Sequence, residues 1–88
     1  MTMIYDTPKD LISAEGTDLG CTGWIEITQE RIDLFAEATG DHQWIHTKPD
    51  KAKDGPFGKT IAHGYLTLSL TNQFLPELLQ VTNISMGV

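Results

Sequence analysis

Eighty-eight residues make one domain at most, and a chain this short buries so little of its surface that its stability needs outside help. The single cysteine, Cys21, excludes an internal disulfide, and without a CxxC pair or a Cys/His array no structural zinc site is expected. A lone thiol fits a reducing compartment, and a formal net charge of −6 argues against non-specific nucleic-acid binding, which needs a basic footprint.

The remaining source of help is a partner chain or further sequence. Met1 to Pro8 lacks the basic and apolar regions of a secretory signal, and no run of about 18 apolar residues exists to span a membrane. The expectation is a soluble cytoplasmic protein without a membrane or nucleic-acid partner. The charge is uneven: over residues 47–60 four lysines (Lys48, Lys51, Lys53, Lys59) face two aspartates (Asp50, Asp54), a net of +2 that leaves −8 for the rest. Such a stretch either serves an anionic ligand or is a solvated loop.

In chain order, residues 1–20 are weakly patterned. Gly16, Thr17, Asp18 and Gly20 read as turn or loop, and Ile4, Leu11 and Ile12 are candidates to anchor this arm to a core. Residues 22–28 alternate, with Ile25 and Ile27 opposite Trp24, Glu26 and Thr28, and predict a short strand. Thr28 can then cap a helix whose stripe is Ile32, Phe35, Ala36 and Thr39, with Glu30 complementing the dipole and Gly40 placed to end it. Residues 41–46 show no clean period. Residues 47–53 can form one helical turn started by Thr47 and Pro49, and Asp54-Gly55-Pro56 followed by Gly58 predicts a turn.

Residues 64–79 predict a second helix, with no charge from Tyr65 to Leu75 and with Leu66, Leu70 and Phe74 on one face, broadened by Leu68, Leu75 and Leu79. A helix apolar nearly all round belongs in a core, and Pro76 should kink it. Ile84, Met86 and Val88 alternate like the start of a strand. Two strands are too few to cover such a helix, so the chain reads as a fragment or as a subunit completed by another chain.

The three histidines, His42, His46 and His63, fall within a 22-residue span, with Asp41 beside the first. On a helix, Asp41 and His46 would point about 140° apart, so they can converge only through a turn or loop. Converged, a carboxylate and an imidazole can activate one shared water. Spacing alone equally allows Asp41 to bind backbone amides at the helix end and His46 to be a packed surface ring. His42 and His46, four apart, could share a metal, but no HExxH is present and Trp44 and Ile45 suit packing better than a metal shell. His63-Gly64 precedes the apolar helix, where free N–H groups and a missing Cβ allow a carbonyl oxygen to approach; alternatively Gly64 is a tight packing point. Cys21 reads as structural, and Trp24 and Trp44 read as core or interface.

Two blocks give these residues a family likeness. Ala38-Thr39-Gly40-Asp41-His42-Gln43-Trp44-Ile45-His46 resembles the hydratase motif of MaoC-like, (R)-specific enoyl-CoA hydratases, and Thr60-Ile61-Ala62-His63-Gly64-Tyr65-Leu66 resembles the second block, where the family's central helix begins. The interval between the blocks agrees too, the likeness covers about residues 22–88, and the wording is most similar to the nodulation-protein-N-like branch.

The resemblance implies an α+β hot-dog fold, with residues 64–79 as a central helix wrapped by antiparallel sheet and residues 1–88 as its N-terminal portion, the C-terminal strands lacking. It implies that Asp41 and His46 are the catalytic pair, adding water across the 2,3 double bond of an enoyl thioester or dehydrating a (3R)-hydroxyacyl thioester, and that the Gly64 N–H meets the thioester carbonyl. His63 and Asn72 would support that pair from behind, Asn72 standing where the family has a serine that orients the carboxylate. Gln43-Trp44 replaces the family's frequent Asn-Pro. The substrate would be a thioester of coenzyme A or acyl carrier protein, with Lys48, Lys51 and Lys59 near the coenzyme A phosphates on charge grounds. No metal or redox cofactor is implied. A homodimer, or pairing with another hot-dog chain, would complete the fold. The alternative is a subunit that binds a thioester or a partner without turnover.

Overall fold

In the computed structural model, which describes residues 2–86, backbone chemistry first shapes the segment that carries the site. Thr28 accepts the Arg31 N–H through its side chain and opens α1 (Gln29–Thr39). Gly40 closes the helix at φ 80°, its N–H donating 2.8 Å to the Ala36 carbonyl. Only glycine adopts that left-handed angle without cost. Ile32 and Ala36 are buried and Phe35 half-buried, as the stripe predicts.

The chain then makes two short helices, α2 (Trp44–Thr47) and α3 (Pro49–Ala52), around Lys48. The aperiodic 41–46 segment is therefore loop only to Gln43. Thr47 ends α2 rather than starting α3, its hydroxyl set against the His42 and Gln43 carbonyls. Asp54–Gly58 turns as expected, with Gly55 against the Trp44 ring and Gly58 at φ 70°. Trp44 packs as predicted, whereas Trp24 is fully exposed.

The chain divides into two compact units, residues 25–70 and residues 1–24 with 71–88. Within the first, Ile32, Ala36, Ala52, His63 and Leu66 are the buried residues. The segment from Thr60 returns beside α2, the Ile61 N–H donating 3.0 Å to the Ile45 carbonyl, and leads into α4 (Gly64–Ser69).

In the second unit β1 (Met3–Tyr5) pairs parallel with β2 (Leu79–Val81), Ile4 opposite Gln80. The long intervening chain supplies the crossover that a parallel pair requires. A 3-10 helix, Pro8–Ala14, follows β1; both the N–H and the hydroxyl of Thr7 donate to the Asp10 carboxylate. α5 (Thr71–Leu78) runs into β2.

Six expectations are corrected. Residues 22–28 are irregular, because no described segment supplies the ladder partner a strand needs. The C-terminal strand is Leu79–Val81; Ile84 and Met86 are irregular, and Val88 lies outside the described residues. The described sheet is a parallel pair, not an antiparallel one. Ile4 and Ile12 are exposed and Leu11 is half-buried, so the arm is not anchored by all three. The 64–79 helix breaks at Leu70, while Pro76 sits inside α5. The hydroxyls of Thr67 and Ser69 donate back to the His63 and Tyr65 carbonyls, a pattern that loosens and bends helices. The apolar surface is not all buried either: Leu66 is, but Tyr65, Leu68 and Leu75 stand exposed.

Candidate active site

The site is assembled wholly within residues 25–70. Gly40 reverses the chain directly before Asp41, and Asp41 holds the loop by accepting the Gln43 N–H on Oδ1 at 3.3 Å. α2 begins one residue later and carries His46. Because Asp41 lies in the loop and His46 on the helical turn, the two side chains converge where a continuous helix would have parted them. His63 comes in from the strand-like approach to α4. Donor atoms of Asp41, His46 and His63 all lie within 4.8 Å of one another.

The hydrogen bonds assign the ring tautomers. His46 Nδ1 lies 2.8 Å from the Ile61 carbonyl oxygen and His63 Nε2 lies 3.0 Å from that of Asp41. A carbonyl oxygen only accepts, so each of those nitrogens carries the proton. In the neutral ring this leaves the lone pair on His46 Nε2 and on His63 Nδ1. The latter is buried and has no hydrogen-bond partner among the described residues. The two rings stack, with centroids 3.9 Å apart and planes 24° from parallel, and Phe35 tilts against His63 at 4.9 Å. His63 therefore touches both other members, holding the Asp41 backbone and the face of the His46 ring.

A carboxylate and two imidazoles are also donors a metal uses. Lone pairs lie in the ring planes, however, and with centroids 3.9 Å apart and planes 24° from parallel the two rings aim theirs side by side rather than at one point, although the donor atoms of all three residues lie within 4.8 Å of one another. His42, the residue paired with His46 in the metal reading, is exposed outside the cluster, its Nε2 3.8 Å from a Glu37 carboxylate oxygen.

The other predicted residues fall as follows. Gly64 is the first residue of α4 and is exposed; a Cβ built there meets no atom within 4 Å. It is thus no packing point, and its backbone is open to approach. Lys48 and Lys59 are exposed, and Lys51 extends its ammonium 5.1 Å from the Trp44 ring centroid. Asn72 is exposed on α5 in the other unit. That unit also holds an open apolar hollow of about 480 Å³ lined by Leu75, Pro76, Leu79, Val81 and Ile84, with none of the predicted site residues in it.

One residue escaped the sequence reading. Gln29 donates from Nε2 to the His46 carbonyl at 2.8 Å and to Asp33 Oδ1 at 2.9 Å, and its Oε1 accepts the Thr60 hydroxyl at 2.7 Å. A glutamine in the first turn of a helix carries no signal in periodicity or residue type that would single it out.

Comparison with known proteins bears directly on this geometry. The model of the MaoC like domain matches residues 11–86, which include the whole cluster. Over 84 residues the chain is 44% identical to 3-hydroxyacyl-thioester dehydratase Z of Mycobacterium tuberculosis (strain ATCC 25618 / H37Rv), covering 96% of this chain and 56% of that protein. It is 56% identical over 62 residues to nodulation protein N of Rhizobium leguminosarum bv. viciae, covering 69% of this chain and 38% of the relative. Nodulation protein N of Rhizobium meliloti (strain 1021) is 53% identical over 63 residues. The chain thus spans about half or less of the length of the curated relatives it matches. A match that runs through both motif blocks and most of the chain leaves one conclusion: this chain belongs to the MaoC-like domain family, in the company of the nodulation N proteins.

Proposed function

We propose that this chain is the catalytic part of an acyl-thioester hydratase of hot-dog fold, one that interconverts trans-2-enoyl and (3R)-hydroxyacyl thioesters in fatty acid metabolism. The observation that carries the reading is the convergence of Asp41, His46 and His63 within 4.8 Å in a MaoC-like chain. The similarity to a protein named as a 3-hydroxyacyl-thioester dehydratase supports the substrate class.

In the hydration direction His46 Nε2, the nitrogen left with a lone pair, takes a proton from water as the oxygen bonds to C3. The Asp41 carboxylate accepts the second O–H and orients that water. The electron pair of the double bond moves toward the thioester carbonyl, and the pair returns the proton to C2. Dehydration runs the same steps backwards. The Gly64 N–H is the donor for the carbonyl oxygen as negative charge grows on it, and the open space where a side chain would stand supports that role. The stacking of the two histidine rings, which sets their lone pairs side by side, supports a reaction without a metal ion. Lys48 and Lys59, exposed on a basic stretch, suit the phosphates of coenzyme A. A second copy, or another hot-dog chain, would cover the exposed faces of Tyr65, Leu68 and Leu75. The carrier is coenzyme A or acyl carrier protein and the compartment the cytoplasm.

The test is hydration of crotonyl-CoA by the purified protein and by Asp41→Asn and His46→Ala. Each substitution should remove most of the activity, on the order of 100-fold or more, with the unfolding midpoint little changed. Parent-like rates in both variants would end this mechanism.

A further inference from the structure

Of the three observed bonds of the Gln29 side chain, two join segments that carry the candidate site, at His46 and at Thr60, and the third goes to Asp33 of its own helix. The His46 carbonyl and the Asp33 carboxylate only accept, so both must face the amide NH2; the amide oxygen is then turned toward Thr60, whose hydroxyl donates to it. No flipped amide satisfies these three partners. Asp33, one turn along α1, anchors the amide by a charge-assisted bond. The His46 carbonyl belongs to the last turn of α2, where no later residue of so short a helix supplies an N–H to it. Gln29 supplies that missing donor from another helix.

The bonds close a ring. Gln29 holds the His46 backbone, the His46 ring donates through Nδ1 to the Ile61 carbonyl, and Thr60, the neighbour of Ile61, donates back to Gln29. The imidazole of His46 is therefore fixed to the 60–61 segment directly, and its peptide to the same segment through Gln29.

We infer that Gln29, oriented by Thr60, is the positioning residue that aims His46. It touches no reacting atom; it sets the backbone from which the imidazole springs and keeps Nδ1–H on Ile61, which leaves Nε2 as the ring nitrogen available to the reaction. This inference rests on the hydratase reading for its kinetic consequence but not for its structural one.

The experiment compares Gln29→Leu, Thr60→Val and Thr60→Ser in the intact protein by crotonyl-CoA hydration and by NMR exchange of the His46 Nδ1–H, identified by its loss in His46→Ala. Gln29→Leu and Thr60→Val should lower kcat about 10- to 100-fold with KM nearly constant, since misaimed groups lose transition-state stabilisation rather than binding. Both should speed exchange of that N–H at least about tenfold, as local opening becomes easier. Thr60→Ser, which keeps the hydroxyl, should restore both. If Gln29→Leu leaves kcat and exchange at parental values, or if Thr60→Ser fails to rescue Thr60→Val, the positioning role is wrong. If the parent protein does not hydrate the substrate, the hydratase reading falls and exchange alone decides the role of Gln29.

Discussion

Replacing Gly40 by alanine separates backbone strain from packing at the point where α1 hands the chain to Asp41. Gly40 stands at φ 80°, in the left-handed region, and a Cβ added there meets no atom within 4 Å. The whole effect is therefore torsional. A non-glycine residue in that region costs about 1–2 kcal/mol. Alanine also restricts the unfolded chain, which offsets about 0.4–1 kcal/mol of it. The net expectation for Gly40→Ala is a change between about 0 and a loss of about 1.6 kcal/mol, with Gly40→Asn losing less because asparagine tolerates this conformation. Gly23 is the control: its φ is not positive and its Cβ position is equally open, so Gly23→Ala should be neutral or slightly stabilising. The assay is urea unfolding of all three variants beside the parent. The unfolded-state offset is common to both glycines, so Gly40→Ala should be less stable than Gly23→Ala by about 1–2 kcal/mol; no difference between them would refute the left-handed helix end and with it the chain reversal that delivers Asp41.

Ile32 is buried in the middle of α1, so Ile32→Ala should cost about 2–4 kcal/mol by denaturant unfolding. Gly55→Ala probes the opposite fault: its Cβ would stand 3.1 and 3.2 Å from Trp44 ring carbons and 3.2 Å from the Ala52 carbonyl oxygen, and overpacking of this kind costs about 1–3 kcal/mol. Because Trp44 begins the helix that carries His46, the same variant should lose activity, measured as kcat on crotonyl-CoA. Removing Lys48 and Lys59 together should raise KM for a coenzyme A thioester, an effect that fades with added salt, and leave a pantetheine thioester unaffected. Equal KM changes for both substrates would remove the lysines from phosphate binding. Elemental analysis of the purified protein should find no stoichiometric metal, and a one-to-one zinc content would overturn the metal-free reading.

The elements that were legible in the sequence are those whose signals are local. α1 follows from Thr28, the Ile32–Phe35–Ala36 stripe and Gly40, because a cap, an apolar face and a left-handed stop each act within a few residues. The turn at Gly55 and Gly58 follows for the same reason. The capping pair Thr7 and Asp10 marks the 3-10 helix and was readable by the same rule, though the weak pattern around it hid it. Strands were misplaced because alternation at 22–28 reports only what a segment would do given a partner, and β1 and β2 owe their existence to each other across most of the chain. Proline, the louder signal, predicts a kink at Pro76, whereas the helix breaks at Leu70; the side-chain bonds of Thr67 and Ser69 form only once the helix is built.

For the site, the sequence by itself determined which groups were available: a carboxylate after a glycine stop, two histidines in spaced blocks, and a glycine opening the next helix. It also determined that, if Asp41 and His46 meet, they meet through a turn, because a continuous helix would point them apart. Only the tertiary structure decided that His63 joins them, that His42 does not, and which ring nitrogens keep their lone pairs. It alone revealed Gln29, whose partners His46 and Thr60 lie 17 and 31 residues away. The physical reason is that a side chain's chemistry is written in its own residue, whereas its aim is set by hydrogen bonds to backbone that only the folded chain brings within about 3 Å.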